Sequence, residues 1–333
     1  MAPATDAARR TRALHEARFG CAATAFGHAP GRVNLIGDHV DYAGGRVLPM
    51  ALSCETHVAL AHSATDDRFA SEFEGDADWT RYARGVLIEL RAAGIAVPPV
   101  TVAIASDVPV GAGLSSSAAL EVAVARAALA LAGTPLAQGD VALLCQRAEH
   151  VHAGMPCGIM DQWCVAHARP GEAILLDCAS LAWRSVPLPP TLAIDIVDSG
   201  VRHALRDGGY AARRADTEQG AARLGVAQLA SLPPARWSEI DALSERIARR
   251  ARHVVRECAR VDAAVNALDR GDLESFGALL LESHASLRDD FDVSTPELDA
   301  IVEHAVANGA LGARMTGGGF GGSAIVARRV TQP

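Results

Sequence analysis

The pattern of apolar and polar positions is clearest around a glycine-rich turn in the first half of the chain. Residues 100–105 form a mostly apolar run, which predicts a buried strand. Residues 118–132 place apolar side chains at the spacing of a helical face, which predicts a helix. The turn, residues 111–117, lies between these two elements. The N–H groups that begin such a helix have no partner within it and attract phosphate. A serine that caps the helix of an ordinary loop is the alternative.

The same patterns predict further elements before and after this turn. Strand-like segments cover residues 46–52, 57–61 and 173–177, and helices are expected over residues 79–93 and 140–151. Residues 186–190 contain three prolines in five positions, which cannot continue a helix or a central strand. This segment is the predicted linker, and it divides the chain into domains of residues 1–188 and 189–333.

The C-terminal part is predicted to be mostly helical. A strand is expected over residues 192–197, and an apolar stripe from Ile247 to Leu268 predicts a long helix. Thr295 followed by a proline is typical of a helix start, and residues 323–327 form the last expected strand. We therefore predict an α+β fold of two domains, with the ligand site in the cleft between them.

Composition limits the classes of protein that this chain can represent. Of its 333 residues, 50% are hydrophobic and 21% are charged, so a substantial core is expected. The formal net charge is −8 and no long basic run is present, which argues against a nucleic-acid partner. Seven cysteines without CxxC spacing favour reduced thiols and a cytoplasmic location. No charge-free apolar run reaches transmembrane length, so no membrane association is expected.

The chain contains no lysine. A Walker A loop needs a lysine on the nucleotide phosphates, and a protein kinase needs one on a strand. Neither of these nucleotide sites can therefore be built from this sequence. A phosphate-binding loop here has to belong to a class that works without lysine, and arginine has to supply the charge-stabilising cation.

Three segments carry more glycine and polar residues than packing requires. The first, residues 30–45, brings Asp38, His39 and Asp41 within four residues, which suits a polyhydroxylated ligand. A charged turn solvated by water is the alternative for this segment. The second segment is the glycine-rich turn. The third, residues 314–323, contains glycines that either form a tight bulge or let the backbone approach a ligand.

Together, these segments resemble the galactokinase branch of the GHMP small-molecule kinases. Residues 31–45 resemble its sugar-binding signature, residues 109–118 its phosphate loop and residues 317–322 its third motif. Further matches are residues 157–162, 201–203 and 283–290, and the resemblance extends from about Phe26 to Val326. One glycine-rich loop would be a weak signal, but this set in this order is highly specific.

The resemblance implies a fold, a reaction and partners. The implied fold is a two-domain α+β fold, with an N-terminal ribosomal protein S5 domain 2-like domain, a ferredoxin-like C-terminal domain and the active site in the cleft between them. The implied reaction is ATP- and Mg²⁺-dependent phosphorylation of the anomeric hydroxyl of a free monosaccharide. The expected sugar is galactose, which would give galactose 1-phosphate in galactose catabolism.

Carried over by position, the resemblance also implies roles for individual residues. Asp161 would be the catalytic base, or a carboxylate that orients the anomeric hydroxyl, and Arg32 would stabilise the transferring phosphoryl group. Ser117 and Glu149 would hold Mg²⁺, which prefers oxygen ligands. The sugar hydroxyls would be contacted by Asp38, His39, Asp41, Gly158 and Tyr210. The ATP phosphates would be wrapped by Gly111, Ala112, Gly113, Leu114, Ser115, Ser116 and Ser117.

Several alternatives stay open at this point. Asp161 could cap a helix, and Glu149 could be an ordinary helical glutamate. The usual signature of the branch reads Glu-His-Thr-Asp-Tyr-Asn-Gly-Gly, and this chain has Asp38, Val40 and Ala43 in place of its Glu, Thr and Asn. These departures leave open a sibling kinase for arabinose, an N-acetylhexosamine or another hexose. A sugar and ATP sensor without turnover is the alternative from a different class.

Overall fold

The computed structural model of this chain describes residues 6–73, 79–201 and 208–330. This part of the chain forms two compact units, and neither unit is continuous in sequence. The first unit comprises the chain up to Arg32, Ala51–Val110 and Ser115–His167, and the second comprises Val33–Met50, Gly111–Leu114 and the chain from Ala168 onward. The glycine-rich turn therefore contributes residues to both units.

The described helices and strands occur mostly in runs of one type along the chain. In chain order they are α1 (Asp6–Phe19), β1 (Ala25–Asn34), β2 (Arg46–Val47), β3 (Pro49–His62), β4 (Arg68–Ser71), α2 (Thr80–Ala92), β5 (Val100–Ser106), α3 (Ser116–Ala132), α4 (Gln138–Ala148), α5 (Met160–His167), β6 (Glu172–Asp177), β7 (Trp183–Pro187), β8 (Leu192–Asp198), α6 (Gly209–Arg223), α7 (Glu245–Asp269), α8 (Leu273–Asp289), α9 (Pro296–Ala307), β9 (Gly312–Thr316) and β10 (Ser323–Arg329). A π-helical turn, Glu149–Ala153, directly follows α4, and a 3₁₀ turn spans Asp41–Ala43.

The first unit combines a sheet with a group of apolar helices. Strand β3 pairs antiparallel with β5, with Val58 opposite Ile104, and β4 pairs parallel with β5. Strand β1 also pairs with β3. Helix α3 packs against α2, α4 and α5, and every residue from Ala118 to Ala125 is buried. A helix that is apolar on nearly all sides belongs in a core, so α3 is the central helix of this unit.

Strand β1 and helix α3 approach each other so closely that only glycine fits between them. A Cβ atom at Gly27 would lie 2.2 Å from the carbonyl oxygen of Ala123 and 2.6 Å from the amide nitrogen of Ala127. Strand β1 carries Arg32 near its end, and α3 begins directly after the glycine-rich turn. The contact at Gly27 therefore sets the spacing of two elements that carry candidate site residues.

The second unit contains strands on both sides of β6 and a separate three-stranded sheet. Strand β6 pairs antiparallel with β2 and β7, and Met50, at the start of β3, pairs with Ala173. Strand β10 pairs antiparallel with β8 and β9, so that Ile325 lies opposite Ile196 on one side and Arg314 on the other. Helix α7 packs against α8, and both α8 and α9 pack against β9.

Most of the predicted elements, and the α+β class, are confirmed. The predicted strand over residues 100–105 is β5, and the helix over residues 118–132 is α3. The apolar stripe from Ile247 to Leu268 is buried on α7. Thr295 is the N-cap of α9, and its side-chain oxygen accepts a hydrogen bond from the amide of Leu298 at 3.4 Å.

Three details differ from the sequence-based expectation. Residues 49–52 and 57–61 belong to one long strand, β3, and the helix expected over residues 140–151 changes to a π turn at Glu149. The proline-rich segment is only partly a linker, because Pro187 is the last residue of β7. Among the described strands, β7 pairs with β6 alone, and a strand with one open edge tolerates proline. The β6–β7 hairpin falls in the second unit, and the domain boundary after residue 188 stays a prediction.

Two further observations concern the chain as a whole. None of the helices in the described ranges has the length and apolar character needed to cross a membrane. All seven cysteines are free thiols.

The substitution Gly27→Ala should destabilise the protein, because the added methyl group would overlap the backbone of α3. Overpacking of this kind lowers the free energy of unfolding by about 1–3 kcal/mol, and we expect a loss at the upper end. Gly220→Ala is the matched control, since its Cβ would meet only side-chain atoms at 3.4 Å and alanine favours a helix by about 1 kcal/mol over glycine. Urea unfolding of both variants provides the measurement, and equal stability of the two would contradict the close approach at Gly27.

Candidate active site

The Asp161 carboxylate, in the first turn of α5, is held by two side chains of the first unit. Arg32 donates to Oδ1 from Nε at 2.8 Å and from Nη2 at 2.6 Å. The Ser115 hydroxyl donates to Oδ2 at 2.5 Å. Arg32 is only 4% exposed, whereas the side chain of Asp161 keeps 24% of its surface exposed. Both carboxylate oxygens are therefore fixed by the protein, and the carboxylate is still open to a substrate.

The glycine-rich turn enters α3 through residues with left-handed backbone. Gly111 and Gly113 have φ angles of 73° and 75°, and Ser115 has a φ of 56°. A left-handed conformation is strained for a residue with a side chain, and the hydrogen bond to Asp161 holds Ser115 in it. Ser115 occupies the N-cap position of α3, but its hydroxyl makes no capping hydrogen bond to the helix. The first backbone N–H groups of α3 therefore receive no hydrogen bond from this side chain, and their binding of an anion stays a prediction.

A second group of buried polar side chains surrounds Glu149, the first residue of the π turn. Its Oε2 atom accepts from Gln162 Nε2 at 2.5 Å and from Cys157 Sγ at 3.2 Å, and Glu149 also shares a hydrogen bond with Ser117. The same Gln162 nitrogen donates to Glu121 Oε2 at 3.0 Å. Burial raises the pKa of both glutamates above the ordinary glutamate value. Glu149 thus begins a π turn, a feature that often marks functional sites, and its role as a metal ligand stays a prediction.

The donor set of Ser117 and Glu149 fits a magnesium ion. Both residues offer oxygen atoms, and the nearby Glu121 Oε1 is buried without a hydrogen-bond partner. Within the described ranges, no cluster of three or more His, Cys, Asp and Glu residues could hold a metal by itself. Mg²⁺ does not need such a cluster, because one or two protein ligands commonly hold it together with water and substrate phosphates.

In the second unit, Asp38 is buried and both of its carboxylate oxygens are used by the protein. Oδ2 accepts from Arg314 Nη2 at 2.5 Å, and Oδ1 accepts from the amide of Gly317 at 3.1 Å. Arg314 is fully buried and also donates to the carbonyl of Leu35 at 3.0 Å. This Asp38–Arg314 pair connects the signature segment to β9 and to the third motif. A sugar contact by Asp38, which is 1% exposed, stays a prediction.

His39 is a buried, neutral histidine in a left-handed conformation. Its φ is 62°, its Nε2 lies 3.2 Å from the carbonyl oxygen of Gly318, and its Nδ1 lies 2.9 Å from the Tyr42 hydroxyl. A carbonyl only accepts, so Nε2 carries the proton and Tyr42 donates to Nδ1. Burial lowers the pKa of His39 to about 3. The rings of Tyr210 and Phe291 lie 5.4 Å and 4.8 Å from the imidazole.

The remaining predicted sugar contacts lie in different parts of the fold. Asp41 is half-buried, begins the 3₁₀ turn and accepts from the amide of Tyr42 at 2.9 Å. Tyr210 lies in the first turn of α6, with its ring edge-on to that of Tyr42 at 5.5 Å. Gly158 is buried in the segment before α5, in the first unit. Residues 202 and 203 of the predicted match at 201–203 lie outside the described ranges.

The third glycine-rich motif joins β9 to β10 by close backbone packing. Gly319 has a φ of 73°, and a Cβ atom there would lie 2.4 Å from the carbonyl oxygen of Val293. The amide of Phe320 donates to the same oxygen at 2.7 Å. Ser323 donates its hydroxyl to the carbonyl of Ala112 in the glycine-rich turn at 2.8 Å. These contacts support the tight-bulge alternative for the motif.

The predicted site residues thus form local groups within each unit. In the first unit, Asp161 meets Arg32 and Ser115, and Glu149 meets Ser117. In the second unit, His39 lies against Tyr210, and Asp38 meets Arg314. The sequence reasoning missed Glu121 and Arg314, although one signal was present for each. Glu121 is a carboxylate inside the apolar stripe of residues 118–132, and Arg314 stands inside a short strand that is otherwise free of charge.

Comparison with known protein families gives three matches. Residues 81–169 match the family model described as GHMP kinases N terminal domain, and residues 264–327 match GHMP kinases C terminal. Residues 13–62 match the galactokinase galactose-binding signature.

Individual relatives cover nearly the whole chain. The galactokinase of Streptomyces coelicolor is 46% identical over 323 residues, which are 90% of this chain and 83% of that protein. The human galactokinase is 43% identical over 350 residues, which are 96% of this chain and 87% of that protein. The crystal structure of Lactococcus lactis galactokinase complexed with galactose superposes with a TM-score of 0.88 at 32% identity, covering 96% of this chain and 90% of that one. Mevalonate kinase from L. major shares the fold, with a TM-score of 0.68 at 20% identity over 92% of this chain and 88% of that one.

The fold and both domain matches define this chain as a GHMP kinase. The signature match and the identities above 40% to full-length relatives are more specific. Within the GHMP kinases, the chain belongs to the galactokinase family.

Stability should fall as the pH drops below neutral, because two buried histidines stay neutral in the folded state. Burial lowers the pKa of His39 to about 3 and that of His253 to about 4, whereas histidines of the unfolded chain titrate near about 6.5. Between about pH 4 and 6.5 the unfolded state therefore binds more protons. Stability should rise with pH in this window by about 1.4 kcal/mol per pH unit for each histidine.

The substitution His253→Gln should remove one such contribution from the pH slope of the unfolding free energy. His62→Gln is the control, because His62 is exposed and should leave the slope unchanged. Urea unfolding at several pH values within the window gives the slopes. A slope for the His253 variant equal to that of the wild type would show that His253 does not stay neutral in the fold.

Proposed function

We propose that this chain transfers the γ-phosphoryl group of ATP to the anomeric hydroxyl of galactose, releasing ADP and galactose 1-phosphate. Membership in the galactokinase family supports the proposal, as does the similarity to the Lactococcus lactis enzyme complexed with galactose. The observation that carries it is the Asp161 carboxylate, held by Arg32 and by Ser115 of the glycine-rich turn.

Asp161 acts on the anomeric hydroxyl in this proposal. Its Oδ1 atom already accepts two hydrogen bonds from Arg32, whereas Oδ2 accepts one hydrogen bond, from the hydroxyl of Ser115. A carboxylate oxygen has two lone pairs, so we assign the anomeric proton to Oδ2. The proton moves to this oxygen as the sugar oxygen bonds to the γ-phosphorus and the bond to ADP breaks. Arg32, which keeps its charge at any working pH, offsets the negative charge of the transition state.

The glycine-rich turn and the Glu149 group serve the nucleotide in this proposal. Backbone N–H groups of residues 111–117 bind the ATP phosphates, and Ser117 and Glu149 hold Mg²⁺. The bound ion neutralises charge on the phosphates of ATP. Gln162 and Cys157, which donate to one oxygen of Glu149, keep its carboxylate oriented.

The sugar contacts complete the proposal. Asp38, His39, Asp41, Gly158 and Tyr210 bind galactose hydroxyls, with His39 contributing a neutral ring rather than a cation. A cytoplasmic location is part of the proposal, because free thiols are typical of a reducing compartment.

The purified protein should release ADP with galactose, ATP and Mg²⁺, and should turn over arabinose, N-acetylhexosamines and other hexoses far more slowly. A coupled ADP assay across these sugars gives the measurement. Turnover with one of the other sugars but not with galactose would instead identify a sibling sugar kinase, as the changes to Asp38, Val40 and Ala43 would allow. Galactose binding by calorimetry without ADP release would identify a sensor.

The substitution Asp161→Asn should lower kcat by at least about 10²-fold and leave ATP binding near normal, because general-base assistance is worth about 10²–10⁴-fold. Arg32→Lys should also be strongly impaired, since an ammonium group cannot reproduce the planar fork of N–H donors. Both residues act on one proton and one phosphoryl group, so the double variant should be little worse than the worse single variant.

Steady-state kinetics of the three variants tests these expectations. Arg91→Lys is the control, because Arg91 makes a comparable two-nitrogen ion pair with Asp67 in the same unit. It should affect stability more than kcat. An Asp161→Asn variant that keeps kcat within about tenfold of wild type would fall below the general-base range and exclude the assigned base. Additive losses would show that Arg32 acts independently of Asp161.

A further inference from the structure

Glu121 is a buried carboxylate that the reaction described so far does not use. It lies on α3, four positions after Ser117, and its side chain is fully buried. Its Oε2 atom accepts from Gln162 Nε2 at 3.0 Å, while its Oε1 atom is buried without a hydrogen-bond partner among the described residues. The charges that act on it are those of Glu149 and Asp161, which are both acidic. A buried carboxylate without a neighbouring cation is costly to keep.

The hydrogen bonds of Gln162 indicate what the Glu121 carboxylate does in the fold. A side-chain amide has two N–H hydrogens on one side and only an acceptor oxygen on the other. Here the nitrogen faces two carboxylates at once, Glu121 at 3.0 Å and Glu149 at 2.5 Å. The amide oxygen of Gln162 is buried without a partner. With acceptors on one side alone, the amide has one favourable orientation, and that orientation presents an N–H group to Glu149.

We propose that Glu121 is a positioning residue for the metal ligand Glu149 and acts through Gln162. This inference rests on the proposed role of Glu149 in holding Mg²⁺. Glu121 fixes the orientation of the Gln162 amide, and the amide in turn fixes Oε2 of Glu149. This hydrogen bond restricts rotation of the Glu149 carboxylate, so the other oxygen of Glu149 also has a fixed direction. Partners that orient a metal ligand in this way typically change metal affinity by about 10- to 100-fold when they are removed.

Two substitutions at position 121 separate orientation from packing. Glu121→Met removes the acceptor, so Gln162 loses the partner that fixes it. Glu121→Gln keeps an acceptor oxygen at the same place and removes the charge. If orientation is the role, the glutamine variant should keep more metal affinity than the methionine variant. Neither variant should melt at a lower temperature than wild type through lost ion pairing, since Glu121 has no cationic partner among its described contacts.

The experiment measures Mn²⁺ binding to the full-length protein in the presence of ADP, by electron paramagnetic resonance and without sugar. We expect Glu121→Met to weaken Mn²⁺ binding by about 10- to 100-fold and to raise the Mg²⁺ concentration needed for half-maximal activity in parallel. The KM for galactose should change far less. Gln162→Met should lose a similar amount of affinity, and the double variant should lose little more, because both act on one interaction.

The control is Glu72→Gln, a carboxylate of the same unit that pairs with Arg10. It should lower the melting temperature and leave Mn²⁺ binding unchanged. The proposal is overturned if Glu121→Met binds Mn²⁺ as tightly as wild type, or if its losses in Mn²⁺ binding, galactose KM and melting temperature all follow those of the control. A wild-type protein that binds Mn²⁺ with ADP but does not phosphorylate galactose would refute the proposed sugar instead. The Mn²⁺ affinities of the variants at position 121 could still be compared in that case.

Discussion

The hydrogen bonds that fix the Asp161 carboxylate are the constraint on which the first unit depends. Arg32 binds one oxygen through two N–H groups, and the planar geometry of the guanidinium makes this contact both strong and specific in direction. Strand β1 can deliver that guanidinium only because Gly27 lets it lie directly against α3. Helix α3 in turn begins at the residue after Ser115, which binds the other oxygen. The position of one carboxylate therefore depends on a strand, a helix and a turn at the same time.

In the second unit the Asp38–Arg314 ion pair has a role comparable to that of the Asp161 hydrogen bonds. The two differ in exposure to water, because both members of this pair are buried. Both side chains are removed from water, so the pair depends on further hydrogen bonds to its other donors and acceptors, although Arg314 Nε has no hydrogen-bond partner among the described residues. The amide of Gly317 and the carbonyl of Leu35 provide two of these. Removing one partner would leave the other charged and buried. The usual glutamate of the signature is longer by one methylene, so the shorter Asp38 suits a partner that lies close behind it.

The sequence was sufficient to predict most helices and strands, because their periods of 3.6 and 2 residues are local properties of the chain. Motifs that are continuous in sequence also supplied the candidate site residues, whose roles stay predictions. The sequence could not show which distant charges meet. Asp38 and Arg314 are 276 positions apart, and no spacing rule connects Glu121 with Gln162. Nor could it show that Pro187 ends a strand, since this depends on the pairing of β7 with β6.

The left-handed Ser115 has a consequence for the order of events on the loop. A serine hydroxyl has one hydrogen, and in this structure that hydrogen is given to Asp161. While it is, Ser115 can offer a phosphate oxygen only its backbone N–H group. If the hydroxyl turned toward a bound nucleotide, the Oδ2 atom of Asp161 would lose this donor. One hydrogen atom that cannot serve two acceptors thus links the proposed nucleotide loop to the carboxylate that we propose acts on the sugar.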